Sequence, residues 1–306
     1  MSIAHYIKEI GRGKDGARSL SREQAEDLFG QVLDGSITDL EMGGFCLAMR
    51  IKGETPEEMA GFLDATHQRL QPFAASNRPV IVIPSYNGAR RLPNLTPLLA
   101  LLLAREGLPV LVHGAATEAS RVTTDSILAE LGIPPSEHIG GLTPGTVTYA
   151  PTTLLCPGLQ KLLDVRRVVG LRNPGHSLAK LMNPVRGPSL IVSSYTHPEY
   201  AVSMAAVFEL MQSNALLLRG TEGESVADPR RTPHMESFVG GQRQLLGGTQ
   251  GGSLQSLPDL PKDISAASTA AYTQQVLAGT CALPPPIAIQ LQHILNLVHQ
   301  LDNLAS

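Results

Sequence analysis

The stretch that decides the fold is VIVIPSYNGARRLPNLTPLLALLLAREGLPVLVHG, which runs from Val80 to Gly114. A continuous apolar run, Val80 to Ile83, is followed by the turn-forming pair Asn87-Gly88. A longer apolar segment, Leu95 to Ala104, and a short run, Val110 to Val112, complete the pattern. This order predicts a strand, a loop, a helix of about three turns and a second strand. Because neither strand alternates with polar residues, we expect a βαβ unit in a parallel sheet that is buried on both faces.

Two loops of this unit are expected to border a ligand site. In open parallel sheets, ligands bind beyond the carboxyl ends of the strands. The loops at those ends are Ser85 to Asn94 and His113 to Ser120.

Composition narrows the class of protein. The chain has 306 residues, more than one typical domain needs, and a net charge of -3. Its three cysteines, Cys46, Cys156 and Cys281, are far apart and odd in number, which argues against a disulfide framework or a CxxC metal site. The longest apolar run, Leu98 to Ala104, is too short to span a bilayer. We therefore expect a cytoplasmic protein with no membrane partner and with buried, reduced cysteines.

Residues 1 to 70 are predicted to form a helical unit. Three Ser/Thr-x-x-Glu/Gln capping boxes each open a helix: Ser21 with Gln24, Thr38 with Glu41, and Thr55 with Glu58. Glycines after Asp34 and Lys52 end two of these helices. The predicted core of the unit is Leu28, Val32, Phe45, Leu47, Met49, Met59 and Leu63.

The rest of the chain alternates between strands and helices, with one interruption. Strands are predicted at 80–84, 109–112, 146–149, 190–193 and 216–218. Helices between and after them are predicted at about 95–106, 121–131, 199–211, 265–277 and 287–304, and a hairpin from Met235 to Leu246. Residues 154–184 are helical and polar, so we expect them to return to the helical unit. The fold class is α/β: a small all-helical domain (1–70 completed by 154–184) plus a larger α/β domain (71–153 and 185–306) with a mainly parallel central sheet.

Several segments together resemble the anthranilate phosphoribosyltransferases. The segment SITDLEMGGFCLAMRIKGETPEEMAGFLDATHQRL, which starts at Ser36, is similar to their N-terminal helical domain. Asn94-Leu95-Thr96 stands at the family's Asn-Ile-Ser phosphate-binding position, and Val112-His113-Gly114 at its Lys-His-Gly loop. Arg166-Arg167, Gly170 and Arg172 resemble the arginine-rich helix that meets the aromatic substrate. The chain is identified as a member of that superfamily, glycosyltransferase family 3, and the resemblance implies the fold described above.

The chain departs from the family at the residues that carry its chemistry. The family's Gly-Thr-Gly-Gly-Asp pyrophosphate loop is replaced by Ser85-Tyr86-Asn87-Gly88-Ala89. Its magnesium-binding Asp-Glu pair falls on Ser225 and Val226. Transfer of a phosphoribosyl group depends on positive charge that stabilises the departing pyrophosphate. We therefore expect no catalytic residue, no cofactor and no metal. The alternative that stays open is a displaced metal site at Glu222 and Glu224.

Two further strings are similar to one branch of the superfamily, the YbiB-type proteins. They are PSYNGARR, from Pro84 to Arg91, and RGTEGE, at 219–224. This resemblance implies a homodimer through the helical domain that binds nucleic acid, DNA above all, largely without sequence preference and without the parent activity. RNA is the alternative polymer.

The distribution of charge agrees with a polyanion partner. Between His138 and Pro198 there are six Lys or Arg residues and a single acid, Asp164, which gives about +5 in an otherwise acidic chain. Lys and Arg that neutralise backbone phosphates supply most of non-specific binding. The predicted phosphate contacts are Arg90, Arg91, Lys161, Arg166, Arg167, Arg172, Lys180 and Arg219. The alternative is that Arg166, Arg167 and Arg172 pair with helical acids such as Asp27 or Asp39.

The remaining polar residues at the strand ends form the predicted remnant of the ancestral cleft: Ser85, Asn87, Gly88, Asn94, Thr96, His113 and Gly114. Two other functions remain compatible with them. One is a phosphoribosyltransferase or nucleoside phosphorylase with a rebuilt phosphate site, which would use Asn87, Gly88, Asn94, Thr96, His113 and Arg166. The other is a dimeric scaffold whose cleft binds a small phosphorylated metabolite. Tyr86 is interpreted as a hydrogen-bonded loop tyrosine in preference to a base-stacking residue.

Overall fold

The computed structural model describes residues 2–13, 15–74, 78–252 and 258–305. The chain divides into two compact units. The first, here called the helical unit, contains Met1–Gln71 and Thr152–Pro184, and the second, the sheet unit, contains Pro72–Pro151 and Val185–Ser306. The first boundary lies at 71 against an expected 70, and the second at 152 against an expected 154.

The secondary structure follows the predicted order. The helices are α1 (Ala4–Ile10), α2 (Arg22–Leu33), α3 (Asp39–Lys52), α4 (Pro56–Arg69), α5 (Thr96–Arg105), α6 (Thr124–Glu130), α7 (Thr152–Leu155), α8 (Pro157–Val169), α9 (Gly175–Leu178), α10 (Pro198–Leu210), α11 (Ala266–Leu277) and α12 (Pro285–Ala305). The strands are β1 (Phe73–Ala74), β2 (Val80–Ser85), β3 (Val110–Gly114), β4 (Val147–Pro151), β5 (Val185–Arg186), β6 (Ser189–Tyr195), β7 (Ala215–Arg219), β8 (Met235–Val239) and β9 (Gln242–Leu245).

The three capping boxes of the helical unit are confirmed. Ser21, Thr38 and Thr55 each accept a hydrogen bond from the N–H three residues later, and the Gln or Glu at that position accepts one from the cap N–H. Each box satisfies two backbone donors that the start of a helix would leave without partners.

Aromatic packing holds α2, α3 and α4 together. The rings of Phe29 and Phe62 stack with centroids 4.5 Å apart, and the ring of Phe45 lies edge-on to both. Helices α2 and α4 approach closely at Gly61, where a Cβ atom would lie 2.2 Å from the carbonyl oxygen of Arg22. The core prediction is wrong at Leu47, which is 46% exposed.

The polar helical segment does return to the helical unit, as expected. Helix α8 packs against α2 so closely that a Cβ on Gly158 would lie 2.0 Å from the carbonyl oxygen of Leu33. It ends at Gly170, which has a left-handed φ of 76°. A glycine there is typical of a helix C-terminus because only glycine adopts this conformation without steric cost.

The sheet unit is built on a mainly parallel sheet. In the described part of the chain its strand order is β4-β3-β2-β6-β7-β8-β9. The strands from β4 to β7 are parallel, and β8 and β9 add the predicted hairpin antiparallel to β7. Helices α5, α11 and α12 contribute to the apolar core beside it, as the apolar strand pattern requires.

The short second sheet and the partial exposure of Cys281 were not predicted. Strands β1 and β5 pair in a separate two-stranded parallel sheet. Cys46 and Cys156 are buried free thiols, whereas Cys281 is partly exposed. Burial raises the pKa of the Cys46 thiol to about 12. Of the helices in the described ranges, none combines the length and the apolar character needed to cross a membrane.

Candidate functional site

The candidate site lies beside β2, where the order in which the chain adds strands to the sheet reverses. From β2 the chain runs outward through β3 to β4, and it later returns to β6 on the other side of β2. The loops at the carboxyl ends of strands on either side of such a switch point diverge and leave a crevice. In this protein two of these loops meet: Ser85–Leu92 after β2, here called the strand-2 loop, and Gly220–Ser225 after β7, here called the strand-7 turn.

The inner part of the strand-2 loop surrounds a buried carboxylate from the strand-7 turn. Glu224 is 0% exposed. Its Oε1 accepts hydrogen bonds from the backbone N–H groups of Asn87 at 2.8 Å and Gly88 at 2.7 Å. Its Oε2 accepts a hydrogen bond from the Ser85 hydroxyl. Buried charges persist only when they are paired or well hydrogen-bonded, and this carboxylate is surrounded by donors.

The outer part of the same loop binds a second carboxylate. The backbone N–H groups of Arg91 and Leu92 donate to Oε1 of Glu222 at 2.8 and 2.9 Å. That of Arg90 donates to Oε2 at 3.2 Å. Glu222 is only partly buried. Five backbone donors of one loop therefore contact two glutamates that lie two residues apart in sequence.

Glycines allow the strand-7 turn to approach the loop. Gly223 has a φ of 92°, and a Cβ there would lie 1.9 Å from Nδ2 of Asn87. A Cβ on Gly220 would lie 2.1 Å from the carbonyl oxygen of Glu224. Asn87 Nδ2 donates to the carbonyl oxygen of Glu222 at 3.0 Å, which ties the two segments together.

A buried polar layer supports the loop from below. The Asn94 amide donates to Thr124 Oγ1 at 3.0 Å, and Asn94 Oδ1 accepts from the N–H of Thr96 at 3.2 Å. The hydroxyls of Thr96 and Thr124 lie 3.4 Å from Oε2 of Glu224. The predicted cleft residues Ser85, Asn87, Gly88, Asn94 and Thr96 thus come together around Glu224.

His113 and Gly114 lie at the end of the neighbouring strand, β3. The Tyr86 hydroxyl is 2.9 Å from Nδ1 of His113. Burial lowers the pKa of His113 to about 3, so its imidazole is neutral. Gly114 permits close contact, since a Cβ there would lie 2.0 Å from the carbonyl oxygen of Ser85. Tyr86 is 3% exposed, which agrees with a hydrogen-bonded loop tyrosine and leaves no open face for base stacking.

The residues present do not fit magnesium at this site. Glu222 and Glu224 both point at N–H groups, whose partial positive charge repels a cation. In the described ranges, no three His, Cys, Asp or Glu side chains come together in a group that could hold a metal ion. The alternative of a displaced metal site at Glu222 and Glu224 is therefore corrected: these carboxylates are acceptors for the loop.

The predicted phosphate contacts of the sheet unit lie on its surface. Arg90, Arg91 and Arg219 are all exposed. Arg90 and Arg91 belong to the strand-2 loop itself, next to the Glu222 contact. Other arginines of the unit are engaged within the chain, as Arg230 is with Asp228 at 2.7 Å and Arg243 with Glu236 at 2.8 Å.

The basic residues of the helical unit differ in exposure. Lys161 and Arg167 on α8 are exposed, and Arg167 lies 3.4 Å from Asp164. Arg166 and Arg172 are partly buried. Lys180 is 7% exposed, so the structure does not place its side chain on an open surface that a polymer contacts. The prediction for Lys180 failed because a count of charges does not show which side chains reach solvent.

Sequence reasoning missed the role of the two glutamates. It found Glu222 and Glu224 only as metal candidates, and it did not connect them with Asn87 or Arg91. The available signal lay in the turn itself, where two acids, Glu222 and Glu224, stand on either side of Gly223.

Comparisons with known proteins identify the family. Residues 4–69 match the family described as "Glycosyl transferase family, helical bundle domain". The chain is 41% identical over 299 residues to the uncharacterised protein YbiB of Escherichia coli K12, covering 95% of this chain and 92% of that protein. It is 29% identical over 213 residues to the anthranilate phosphoribosyltransferase of Clavibacter michiganensis, covering 67% of this chain and 60% of that protein.

A solved structure gives the same fold. The anthranilate phosphoribosyltransferase of Thermus thermophilus superposes with a TM-score of 0.72 at 20% identity, covering 96% of this chain and 93% of that one. The predicted α/β fold class, a small helical domain with a larger and mainly parallel sheet domain, is confirmed. The chain belongs to the YbiB-type branch of the anthranilate phosphoribosyltransferase superfamily, glycosyltransferase family 3.

Proposed function

We propose that this protein is a homodimer that binds the nucleic-acid backbone, DNA in the first place, without sequence specificity and without phosphoribosyl transfer. The observation that carries the proposal is how the hydrogen-bond donors and the arginines of the strand-2 loop are arranged. The inner N–H groups of the strand-2 loop are closed by Glu224, and its outer face carries two exposed arginines, Arg90 and Arg91.

The first part of this observation supports the loss of transferase activity. A loop that cradles pyrophosphate needs its N–H groups free to receive an anion. At Asn87 and Gly88 those groups already donate to a carboxylate of the same chain. An external diphosphate would have to displace a buried charge, which is costly because Glu224 would then lack its hydrogen bonds. The same contacts argue against the rebuilt enzyme and against a metabolite held in this cradle.

The second part supports binding of a polyanion. Arg90, Arg91 and Arg219 are exposed in the sheet unit, and Lys161 and Arg167 are exposed in the helical unit. Each phosphate that such a residue neutralises releases condensed counterions, a contribution that does not depend on base sequence. Exposed positive charge in both units therefore supports contact with a phosphate backbone.

An apolar face of the helical unit supports the dimer. Leu40, Leu47 and Ile51 of α3 are 87%, 46% and 63% exposed. Their spacing of seven and four residues places them on one face of the helix. Large apolar residues that are exposed together on one face are typical of protein interfaces.

The test is fluorescence anisotropy of a labelled single-stranded oligonucleotide, titrated with the protein at several salt concentrations. We expect the logarithm of the binding constant to fall linearly with the logarithm of salt concentration. For single strands, the slope should become shallower by about 0.7 for each phosphate contact removed. Arg90→Ala/Arg91→Ala and Lys161→Ala/Arg167→Ala should each weaken binding and flatten the slope.

A charge-matched control separates local contacts from net charge. Lys8→Ala/Lys262→Ala removes two positive charges from exposed positions outside the proposed contacts. It should leave affinity nearly unchanged. Absence of binding by the wild-type protein at low salt would refute the proposal, and equal losses in all three double variants would refute the assignment of the contacts.

A further inference from the structure

The outer part of the strand-2 loop has the geometry of an anion site. Three successive N–H groups, from Arg90, Arg91 and Leu92, converge on the carboxylate of Glu222 at 3.2, 2.8 and 2.9 Å. Successive backbone N–H groups that point into one concavity form a nest, which binds carboxylate or phosphate oxygens. The ligand of this nest is supplied by the chain itself.

The carboxylates of Glu222 and Glu224 differ in how readily an external anion can displace them from the loop's N–H groups. Glu224 is 0% exposed, so its displacement would strand a charge in the interior. Glu222 is partly exposed, so its carboxylate can rotate outward and be hydrated. Its backbone is also strained, because its φ of 54° is a left-handed value that non-glycine residues seldom adopt. Only the outer carboxylate is therefore exchangeable.

The nest also carries its own positive charge. The side chains of Arg90 and Arg91 are exposed and flank the three N–H groups in the chain. An arginine binds phosphate with two parallel hydrogen bonds, which makes it a better phosphate partner than a point charge. An arriving phosphate would gain the three N–H donors and these two guanidinium groups.

From this geometry we propose that the N–H groups of Arg90, Arg91 and Leu92 form a phosphate-binding site in which Glu222 is an internal competitor. A phosphate oxygen of a nucleic-acid backbone replaces the Glu222 carboxylate, and the arginines close on it. The nucleic acid as the source of the phosphate rests on the function proposed above. The phosphate chemistry of the site does not, since free phosphate offers the same oxygens.

Removing the competitor should increase affinity. If the nest is open only a fraction of the time, the apparent dissociation constant exceeds the intrinsic one by the inverse of that fraction. For a nest that Glu222 covers about nine-tenths of the time, Glu222→Ala should tighten binding of a single-stranded oligonucleotide about tenfold. Glu222→Gly is the second variant, because glycine takes the left-handed conformation without strain.

A control must remove the same charge elsewhere. Glu130→Ala does so at an exposed position on α6. We expect it to change affinity less than about twofold, as a surface charge remote from the contacts should. The gain in Glu222→Ala should also disappear when Arg90→Ala and Arg91→Ala are added.

A second measurement separates this site from the proposed function. Thermal unfolding is compared in sodium phosphate and in sodium chloride of equal ionic strength. Phosphate should stabilise the two Glu222 variants more than the wild type and Glu130→Ala. If phosphate does so but no oligonucleotide binds any variant, the nucleic-acid function fails and the phosphate site stands. If neither probe distinguishes the Glu222 variants from Glu130→Ala, the inference is wrong.

Discussion

The carboxylate of Glu224 accepts a hydrogen bond from the backbone N–H of Asn87 at 2.8 Å, across 137 residues of sequence. The contact joins the loop after β2 to the turn after β7, at the point where the sheet changes direction. The superfamily resemblance implies that this loop holds the pyrophosphate of the substrate in the parent enzymes. Here the loop's N–H groups hold an acidic side chain of the same chain, so these donors stabilise the fold.

Glu224→Ala should destabilise the sheet unit. The substitution leaves the N–H groups of Asn87 and Gly88 buried without an acceptor, at a cost of about 3 kcal/mol. Urea unfolding followed by circular dichroism measures the loss. Formate, which can enter the space left by the side chain, should restore part of the stability of the variant and leave the wild type unchanged. Glu209→Ala, at an exposed position of α10, is the control. A Glu224→Ala protein as stable as the wild type would show that the cradle does not depend on this carboxylate.

Gly223→Ala should disturb the same contact from the other side. A Cβ there would lie 1.9 Å from Asn87 Nδ2, and the φ of 92° disfavours any other residue. Strain and overpacking together should lower the free energy of unfolding by at least about 2 kcal/mol. Gly140→Ala is the matched control, since a Cβ at that position meets no atom within 4 Å. Equal stability of the two variants would contradict the close packing of turn and loop.

Stability should fall in mildly acidic solution because of His113. Its pKa is lowered to about 3 by burial, against an ordinary value of 6.5 that applies in the unfolded chain. Between these values the unfolded state binds one proton more than the folded state. The contribution of His113 to the free energy of unfolding is therefore fully present above pH 6.5 and decreases as the pH falls towards 3. From about pH 7.5 to about pH 5.5 the loss is on the order of 1 kcal/mol for one such histidine.

Variants assign this pH dependence. His176, in the helical unit, also has its pKa lowered to about 3, chiefly by burial, and should contribute a similar loss. His113→Gln and His176→Gln should each reduce by one the number of protons taken up on unfolding. The slope of the unfolding free energy against pH should become shallower to match. If His113→Gln keeps the slope of the wild type over this pH range, then His113 is protonated in the folded protein and its imidazole is not isolated from solvent.

Local patterns were enough to predict most elements of the fold, although not the short strands β1 and β5. The Ser21, Thr38 and Thr55 caps act within one helical turn, and the apolar run at Val80 needs no partner to be recognised as a strand. Leu47 failed because periodicity shows that a residue lies on an apolar face but not whether that face is covered. The superfamily resemblance then supplied the arrangement of the elements.

The candidate site could not be derived in the same way. A turn with two acids beside glycines suits either a metal or a set of N–H donors, and the choice depends on what faces it. The facing group, the loop at Asn87, comes from another part of the chain. Only the folded sheet brings the turn and the loop together. The contact then shows that the loop donates hydrogen bonds and that the glutamates accept them.

The apolar face of α3 gives the last prediction. If Leu40, Leu47 and Ile51 form the dimer surface, Leu40→Glu/Ile51→Glu should convert the protein to a monomer, because two buried charges would face their symmetry copies. Both side chains are exposed in the single chain, so the monomer should remain folded, with a circular dichroism spectrum like that of the wild type. Sedimentation equilibrium measures the mass. Val202→Glu, at a 70% exposed apolar position in the sheet unit, should leave the dimer intact. A monomeric wild type, or a double variant that remains dimeric, would rule out this face as the interface.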